Sequence, residues 1–373
     1  EVSTISQSSL GTYVNSPRDH FFGRLVHGPD KDYFKEGNLF HDFAEFYVNH
    51  PAVVDDAALD EIVHVMLDDA GPFFHDGDEP LRRRKYRIGL ETIVEFLDSN
   101  PPEQEAFLTP SSGWGTNFFE DHFGRPVDSP LTERWFENTR IGGKGKIDLV
   151  RAADHLVDYK SGRKKSAYSV VKGAAIDPPD DTPNFQAALY LSHFRTEQPD
   201  ERIEFTFFHF LETLDDVIAG EATLDDALTT VTYYPDTFDD FVESREAYDV
   251  ILDGYNDCVA TFEDVGFTAY WEIVGGLEWP ETTEKDELLN SAFAEEFTAA
   301  VVDGTSDDVD AEKGCEQAMR ALNGVRKRSF FREDLDAFEE FVAERIEEIN
   351  RRRGGEERFP VDGLAGEPNY RRV

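Results

Sequence analysis

The sequence predicts an α/β fold on three observations. Helical periodicity dominates both ends of the 373 residues. Between 131 and 235 the period shortens to that of strands joined by short turns. One helical stretch interrupts those strands, so the order is helices, three strands, helix, strands, helices, a sheet core wrapped in helices.

Residues 3–27 read as a capped helix, a turn at Ser16-Pro17 and a second, Phe-rich helical turn. In "EGNLFHDFAEFYVNHP" the side chains of Leu39, Phe43, Phe46 and Tyr47 share an apolar face, and Pro51 follows its end. Residues 56–69 and 80–98 are also helical in pattern. Within them "LRRRKYR" (81–87) reads as a solvated helix face, the alternative being the lining of a DNA groove. Gly, Pro and Ser signals over 109–130 predict a loop. "ERWFENTRI", "GKIDLVRA" and "HLVDYKS" then predict an antiparallel meander. "NFQAALYLSHFR" (184–195) is a helix, and "RIEFTFFHFLE" (202–212) and "ALTTVTYYP" (227–235) are strands. Residues 237–263, 285–302 and 308–323 read as helices, and 332–355 as a long amphipathic helix ending at glycine.

Composition narrows the function. Hydrophobic residues make up 39% of the chain and aromatic residues 13%, which is globular rather than disordered. No apolar run is long enough to cross a bilayer, and "EVSTISQSSLGTY" has no basic-then-apolar leader pattern, so a cytoplasmic protein is expected. Asp and Glu number 78 against 37 Lys and Arg, a net charge of −41 spread along the whole chain. Such a chain repels itself in dilute buffer and suits a salty, halophile-type cytosol; an acidic protein with cationic partners is the weaker alternative. Against this background six of the twelve lysines fall within residues 144–172, which points to a phosphate-bearing ligand at one place. Cys258 and Cys315 are the only cysteines, too few for a disulfide framework, a four-cysteine zinc site or a cysteine-ligated iron–sulfur cluster, and both read as ordinary thiols.

The chemistry sits in "KGKIDLVRAADHLVDYKSG" (144–162). Strand alternation puts Lys146 and Asp148 on one face of the first strand, and Asp158 and Lys160 on one face of the second, about 7 Å apart. Pairing the strands as a hairpin brings Asp148 and Asp158 together. Two such carboxylates repel unless a cation lies between them, and a hard divalent metal with oxygen ligands fits. Lys160 beside it can orient or deprotonate a water and meet a phosphate oxygen. The alternative is a surface hairpin with an exposed Asp–Lys ion pair. The flanking apolar residues, the break at Gly162 and the lysine clustering favour the metal site.

"GKGKIDLV", "VDYKSG" and "NFQAALYL" together resemble the nuclease core of the PD-(D/E)XK superfamily, specifically its RecB-like, AddB-type branch. That branch shows a G-x-[IV]-D strand, a D-Y-K-[ST]-G strand and a Q-x-x-x-Y helix in this order. "STISQSSLGTYVNSPRDHFFGRL" is similar to the family's opening segment, "EGNLFHDFAEFY" to its G-x-x-x-H helix and "REDLDAFEEFVAERIEEI" to its closing helix. The resemblance implies a restriction-endonuclease-like core, a mixed central sheet flanked by helices, in a single domain over 1–373. Residues 1–130 would be a helical segment carrying His41, 131–235 the catalytic α/β core, and 236–373 a helical C-terminal segment.

It further implies His41, Asp148 and Asp158 as metal ligands with the backbone carbonyl of Tyr159, and Lys160 as the catalytic lysine. Gln186 and Tyr190, one helical turn apart, would steady the site or contact the DNA backbone, and Glu45 would support His41. Taken alone, His41 among Phe40, Phe43 and Phe46 reads as a packed core histidine, Gln186 as a solvent-facing residue and Tyr190 as core. The order of the motifs favours the functional readings. The implied activity is Mg²⁺- or Mn²⁺-dependent hydrolysis of DNA phosphodiesters leaving a 5′-phosphate, with little sequence preference and with Mn²⁺ at least as effective. One departure is plain: where many relatives place a cysteine for an iron–sulfur cluster this chain has Ser16, and the tail "RFPVDGLAGEPNYRRV" has none. No cluster is expected, and packing alone would hold the terminal segments. No Walker-type G-x-x-x-x-G-K-[ST] run occurs, so the expected role is an exonuclease at DNA ends in recombination or repair, with a helicase partner or as part of a helicase-containing polypeptide. A CRISPR-associated or restriction-type nuclease, and a non-catalytic DNA-binding or structural subunit, are the alternatives.

Overall fold

A computed structural model describes residues 1–23, 32–70, 79–103, 117–127, 131–211, 223–242, 244–247, 249–250, 290–304 and 311–358, with isolated positions between 253 and 287. The chain divides into two compact units, Glu1–Thr232 with Ala337–Val373, and Tyr233–Asp336.

The first unit is built on a mixed sheet flanked by helices, as the restriction-endonuclease-like expectation requires. Six strands belong to it: β1 (Ile5–Ser6), β2 (Thr132–Asn138), β3 (Gly143–Ala152), β4 (His155–Tyr159), β5 (Ile203–Phe208) and β6 (Leu228–Tyr233). Their order is β1-β3-β4-β5-β6, with β2 also paired to β3. The meander is antiparallel from β2 through β4, whereas β1 on β3 and β5 on β4 are parallel. In β2 and β6 buried and more exposed positions alternate, so a one-residue slip would expose the apolar face, whereas the centres of β3, β4 and β5 are buried on both faces.

The N-terminal helices follow their punctuation. Ser6 Oγ caps α1 (Gln7–Asn15). Ser16 caps α2 (Pro17–Phe22) by accepting from the Asp19 N–H at 3.1 Å, with Pro17 at the first helical position. Helix α3 (Asp32–Asn49) buries Leu39, Phe40, Phe43, Phe46 and Tyr47 as one stripe. Helices α4 (Asp56–Ala70) and α5 (Glu79–Ser99) are tied by Arg87, which meets Asp56, Asp60 and its own helix's Glu91 at 2.7–2.9 Å. The 81–87 stretch is therefore not a simple solvated face: Tyr86 is fully buried against Phe40, and Lys85 pairs with Glu36 at 3.1 Å. The region read as a loop over 109–130 contains a short helix, α6 (Phe118–Phe123), started by the Asn117 side chain and stopped at Gly124 in the left-handed region. Its Phe119 and Phe123 pack on Phe46 of α3, a tertiary gain that the local turn signals do not reveal.

Helix α7 (Ala167–Gly173) follows the lysine-rich loop after β4, and α8 (Gln186–Glu197) lies against β3. Two glycines let it approach. A Cβ at Gly145 would sit 2.7 Å from a Tyr190 ring carbon, and one at Gly143 2.6 Å from Leu189.

The second unit contains α9 (Phe238–Val242), α10 (Ala292–Gly304), α11 (Ala311–Arg326) and β7 (Ser329–Phe330). Tyr234, Phe238, Phe241 and Phe331 form its aromatic cluster, and Arg326 clamps Asp334 with bonds of 2.6 and 2.9 Å. Most of the helix expected over 237–263, with Cys258, lies outside the described residues, as does the Cys315 side chain.

The closing helix α12 (Arg332–Arg353) buries Leu335, Phe338, Val342, Ile346 and Ile349 along one stripe. Within the first unit its Glu339 pairs with Arg195 of α8, and Ile346 and Val342 fill the space above Gly142, a turn glycine at φ +65. The termini are held by more than packing. Asn350 Oδ1 accepts the Val2 N–H at 2.7 Å, and Asn350 Nδ2 donates to the Val2 carbonyl at 2.9 Å. This side chain supplies both bonds a neighbouring strand would have given.

Candidate active site

The β3–β4 pairing stacks the two aspartates. Leu149 faces Val157 as the last pair of the ladder, and continuing that register by one step sets Asp148 opposite Asp158. There the backbone ladder stops. The Tyr159 N–H instead donates to Asp148 Oδ2 at 2.9 Å, so a carboxylate takes the place of a ladder carbonyl. Both aspartates are buried. Helix α3 lays His41 over this pair, with Nδ1 3.3 Å from Asp148 Oδ2 and its ring edge-on to Tyr159.

Lys160 follows β4 directly, its N–H anchored to the Phe208 carbonyl of β5 at 2.8 Å. Its ammonium lies 2.5 Å from Asp158 Oδ2, over the Phe207 ring, and donates to Gln186 Oε1 at 3.0 Å. Gln186 completes the arrangement by donating through Nε2 to Asp158 Oδ1. It is buried, not solvent-facing, and its one amide holds the aspartate and the lysine together. Tyr190 is packed among Phe136, Phe205 and the Gly145 backbone, with its phenol beside Gln186 and the Lys146 main chain.

The charges fall into a consistent order. Burial pushes Asp158 up to about 6, with Lys160 opposing and Asp148 adding to the rise. Burial acts on Asp148 in the same direction, but His41, Lys160 and the Tyr159 N–H outweigh it and hold it below the ordinary range. Burial disfavours charge on His41 and on Lys160, yet the facing aspartates raise both. Farther out, burial raises Asp42 to about 6, although the Phe118 N–H at 3.1 Å works against the rise.

One residue was missed by the sequence reading. Glu133 on β2 brings a carboxylate oxygen to the same place, so that His41, Glu133 and Asp148 offer ligand atoms all within 4.8 Å of one another. The signal was available in hairpin arithmetic: Thr132 faces Leu149 and Arg134 faces Ile147, which leaves Glu133 opposite Asp148. Its backbone is at φ +50, an uncommon and costly conformation for a residue with a side chain. Lys146 pairs with it. Glu45 is tied not to His41 but to Asn117 at 2.8 Å and, at 3.3 Å, to Thr132 beside Glu133.

This donor set fits a divalent cation. Asp148 and Asp158 are both buried, and a third carboxylate and an imidazole converge on Asp148 to give a set of oxygen and nitrogen donors. No described helix is long and apolar enough to cross a membrane. The chain matches no curated protein and no solved structure. A family model does match it, over residues 4–361, a span that takes in His41, Glu133, both aspartates, Lys160, Gln186 and Tyr190 together; the chain belongs to the PD-(D/E)XK nuclease superfamily.

Proposed function

We propose that the chain is a deoxyribonuclease that hydrolyses phosphodiester bonds at DNA ends with Mn²⁺ or Mg²⁺. The observation that carries the reading is Asp148 and Asp158, buried face to face beside His41 and Lys160. Asp148, Asp158, His41, Glu133 and the Tyr159 carbonyl are the groups that would hold the metal. A bound divalent ion there supplies Lewis-acid polarisation of the phosphoryl oxygen and a more acidic water. The imidazole in the set favours Mn²⁺ over Mg²⁺, which prefers oxygen alone.

Of the two roles open to Lys160, orienting the water or deprotonating it, we assign orientation. Its ammonium already donates to Gln186 Oε1 and pairs with Asp158, which aims it as a donor for water and a phosphate oxygen. Gln186 fixes both Lys160 and Asp158, and is a positioning residue. With 78 acidic residues against 37 basic ones, the molecule suits a high-salt cytoplasm, and phosphate contacts alone hold DNA weakly there. We therefore place a separate helicase or a helicase-containing polypeptide upstream, delivering strands in recombination or repair.

The test is cleavage of end-labelled single- and double-stranded DNA in molar KCl with Mn²⁺, Mg²⁺ or chelator, with Lys160→Ala alongside. Metal-dependent cleavage is expected, reduced about a hundredfold or more by the substitution. A folded protein that binds DNA without metal and never cleaves it would instead be a structural subunit.

A further inference from the structure

We infer that Lys165 and Lys172, with Arg163, form a ridge that holds the DNA backbone several nucleotides away from the scissile bond. The inference rests on the nuclease reading and names a further contact surface of the same site.

Residues 159–176 hold five cations and no acid, in a chain where acids outnumber bases 78 to 37. Lys160 is taken up by Asp158 and Gln186, and Lys164 donates to the Asp226 carbonyl. The other three, Arg163, Lys165 and Lys172, are exposed, and among the described residues none of them meets a carboxylate within ion-pair distance. Arg87, Arg345 and Arg352 of the same unit each meet at least two. Cations left without partners on so acidic a molecule repel one another, and a polyanion relieves that repulsion.

Local contacts fix where they face. Ser166 caps α7 by accepting from the Ser169 N–H at 3.2 Å. Val170 and Gly173 are buried, which turns Tyr168 and Lys172, one helical turn apart, outward. The charges of Lys172 and Lys165 both reach Asp180, whose Oδ1 accepts from the Thr182 N–H at 2.9 Å and hydroxyl at 3.3 Å. The two ammoniums therefore serve one patch, and the acid beside it is engaged with its own turn.

Both ends of the segment are built into the active site. After Lys160, the Gly162 carbonyl accepts from His209 Nδ1 at 3.0 Å and the Lys165 carbonyl from the Thr229 hydroxyl at 2.7 Å. Beyond α7, the Gly173 carbonyl accepts the Asn184 N–H at 2.7 Å, and Asn184 Oδ1 accepts the Gln186 N–H at 3.1 Å. The ridge is thus fixed to Lys160 on one side and to Gln186 on the other. Five residues of chain carry the backbone from Lys160 to Lys165, at most about 17 Å. At about 3.4 Å per phosphate along one strand, that is about five phosphates from the cut. Contacts of this kind set the register of the strand and tolerate any sequence.

The experiment compares wild type with two double variants, Lys165→Gln with Lys172→Gln and Lys165→Arg with Lys172→Arg. Cleavage of end-labelled single strands from about 3 to about 20 nucleotides is measured with Mn²⁺, and binding with Ca²⁺ in its place, from about 0.3 to about 2 M KCl. Circular dichroism checks the fold at each salt. At about 0.3 M KCl the glutamine pair is expected to raise KM and Kd roughly fivefold for the longest strand and to lower kcat less. The gap should be absent for the shortest strand and open within about five nucleotides. The slope of log Kd against log salt should fall by about 1.4, two charges at about 0.7 each. The arginine pair should return all three to wild type. A glutamine pair with wild-type KM, Kd and salt slope at every length would overturn the ridge while leaving the nuclease intact. A gap equal at every length would overturn it as well, because the lysines would then act at the cut or through the fold. So would a loss that the arginine pair does not repair. A wild type that cleaves nothing, yet shows the length-dependent gap in binding, would overturn the nuclease reading and keep the ridge. Neither cleavage nor binding would overturn both.

Discussion

Glu133 shows what a single residue can hide. Asp148, Asp158 and Lys160 are legible in the sequence because strand alternation and the D-Y-K-S-G run place them without knowledge of any other element. Glu133 depends on the exact register between two strands and on a positive φ, and neither is written in the letters "LTERW". If it is a ligand, Glu133→Gln keeps the shape but removes the charge, and Mn²⁺ affinity measured by calorimetry should fall about tenfold or more. A second prediction concerns His193. Burial, followed by Arg134, holds its imidazole down at about 4, against an ordinary value of 6.5. The unfolded chain therefore takes up this proton as pH falls past 6.5, while the folded protein resists until about 4. The resulting stability is complete above 6.5 and is lost between 6.5 and 4. Urea unfolding at pH 7 and pH 4.5 should show a smaller acid loss in His193→Phe, which can still stack on Phe136.

Elements were largely readable, and their exceptions are tertiary. The closing helix follows from periodicity because it has one apolar face, whereas the Gln186 helix is buried on every side from Gln186 to Arg195. Helix α6 does not follow from periodicity, since its six residues have too weak a local signal and owe their order to the phenylalanines of α3. The contact between α8 and β3 is where an element-scale change should tell most. In Gly145→Ala the new methyl would lie 2.7 Å from Tyr190 and 3.0 Å from Phe136, both ring carbons of buried residues. We expect the helix to shift at a cost of about 1–3 kcal/mol. Because α8 begins at Gln186, the shift also moves the amide that joins Asp158 to Lys160. Thermal unfolding should record the first effect, and a fall in kcat well below the melting temperature should record the second.

For the whole molecule, charge was legible and architecture only in part. The count of acids against bases needs no structure, and it predicts that added KCl raises the melting temperature by screening self-repulsion. A scanning-calorimetry series from low to molar KCl checks this, and a melting point independent of salt would contradict it. The Asn350 clasp was not legible, since one asparagine in a charged helix carries no pattern. Asn350→Ala removes both of its bonds to Val2, and a loss of about 1–3 kcal/mol in chemical unfolding is expected.

That clasp joins residues 348 positions apart, and the distance has a meaning in time. At about 5–20 residues per second a ribosome needs roughly 17–70 seconds to make the chain between them. Through that interval the first strand has met neither Asn350 nor the apolar stripe of α12, although its partner β3 was made long before. The corner of the sheet beside Gly142 thus stays open until α12 has been made. A nascent chain halted before residue 350 would present that corner to chaperones and proteases, and α12 is the helix that closes it.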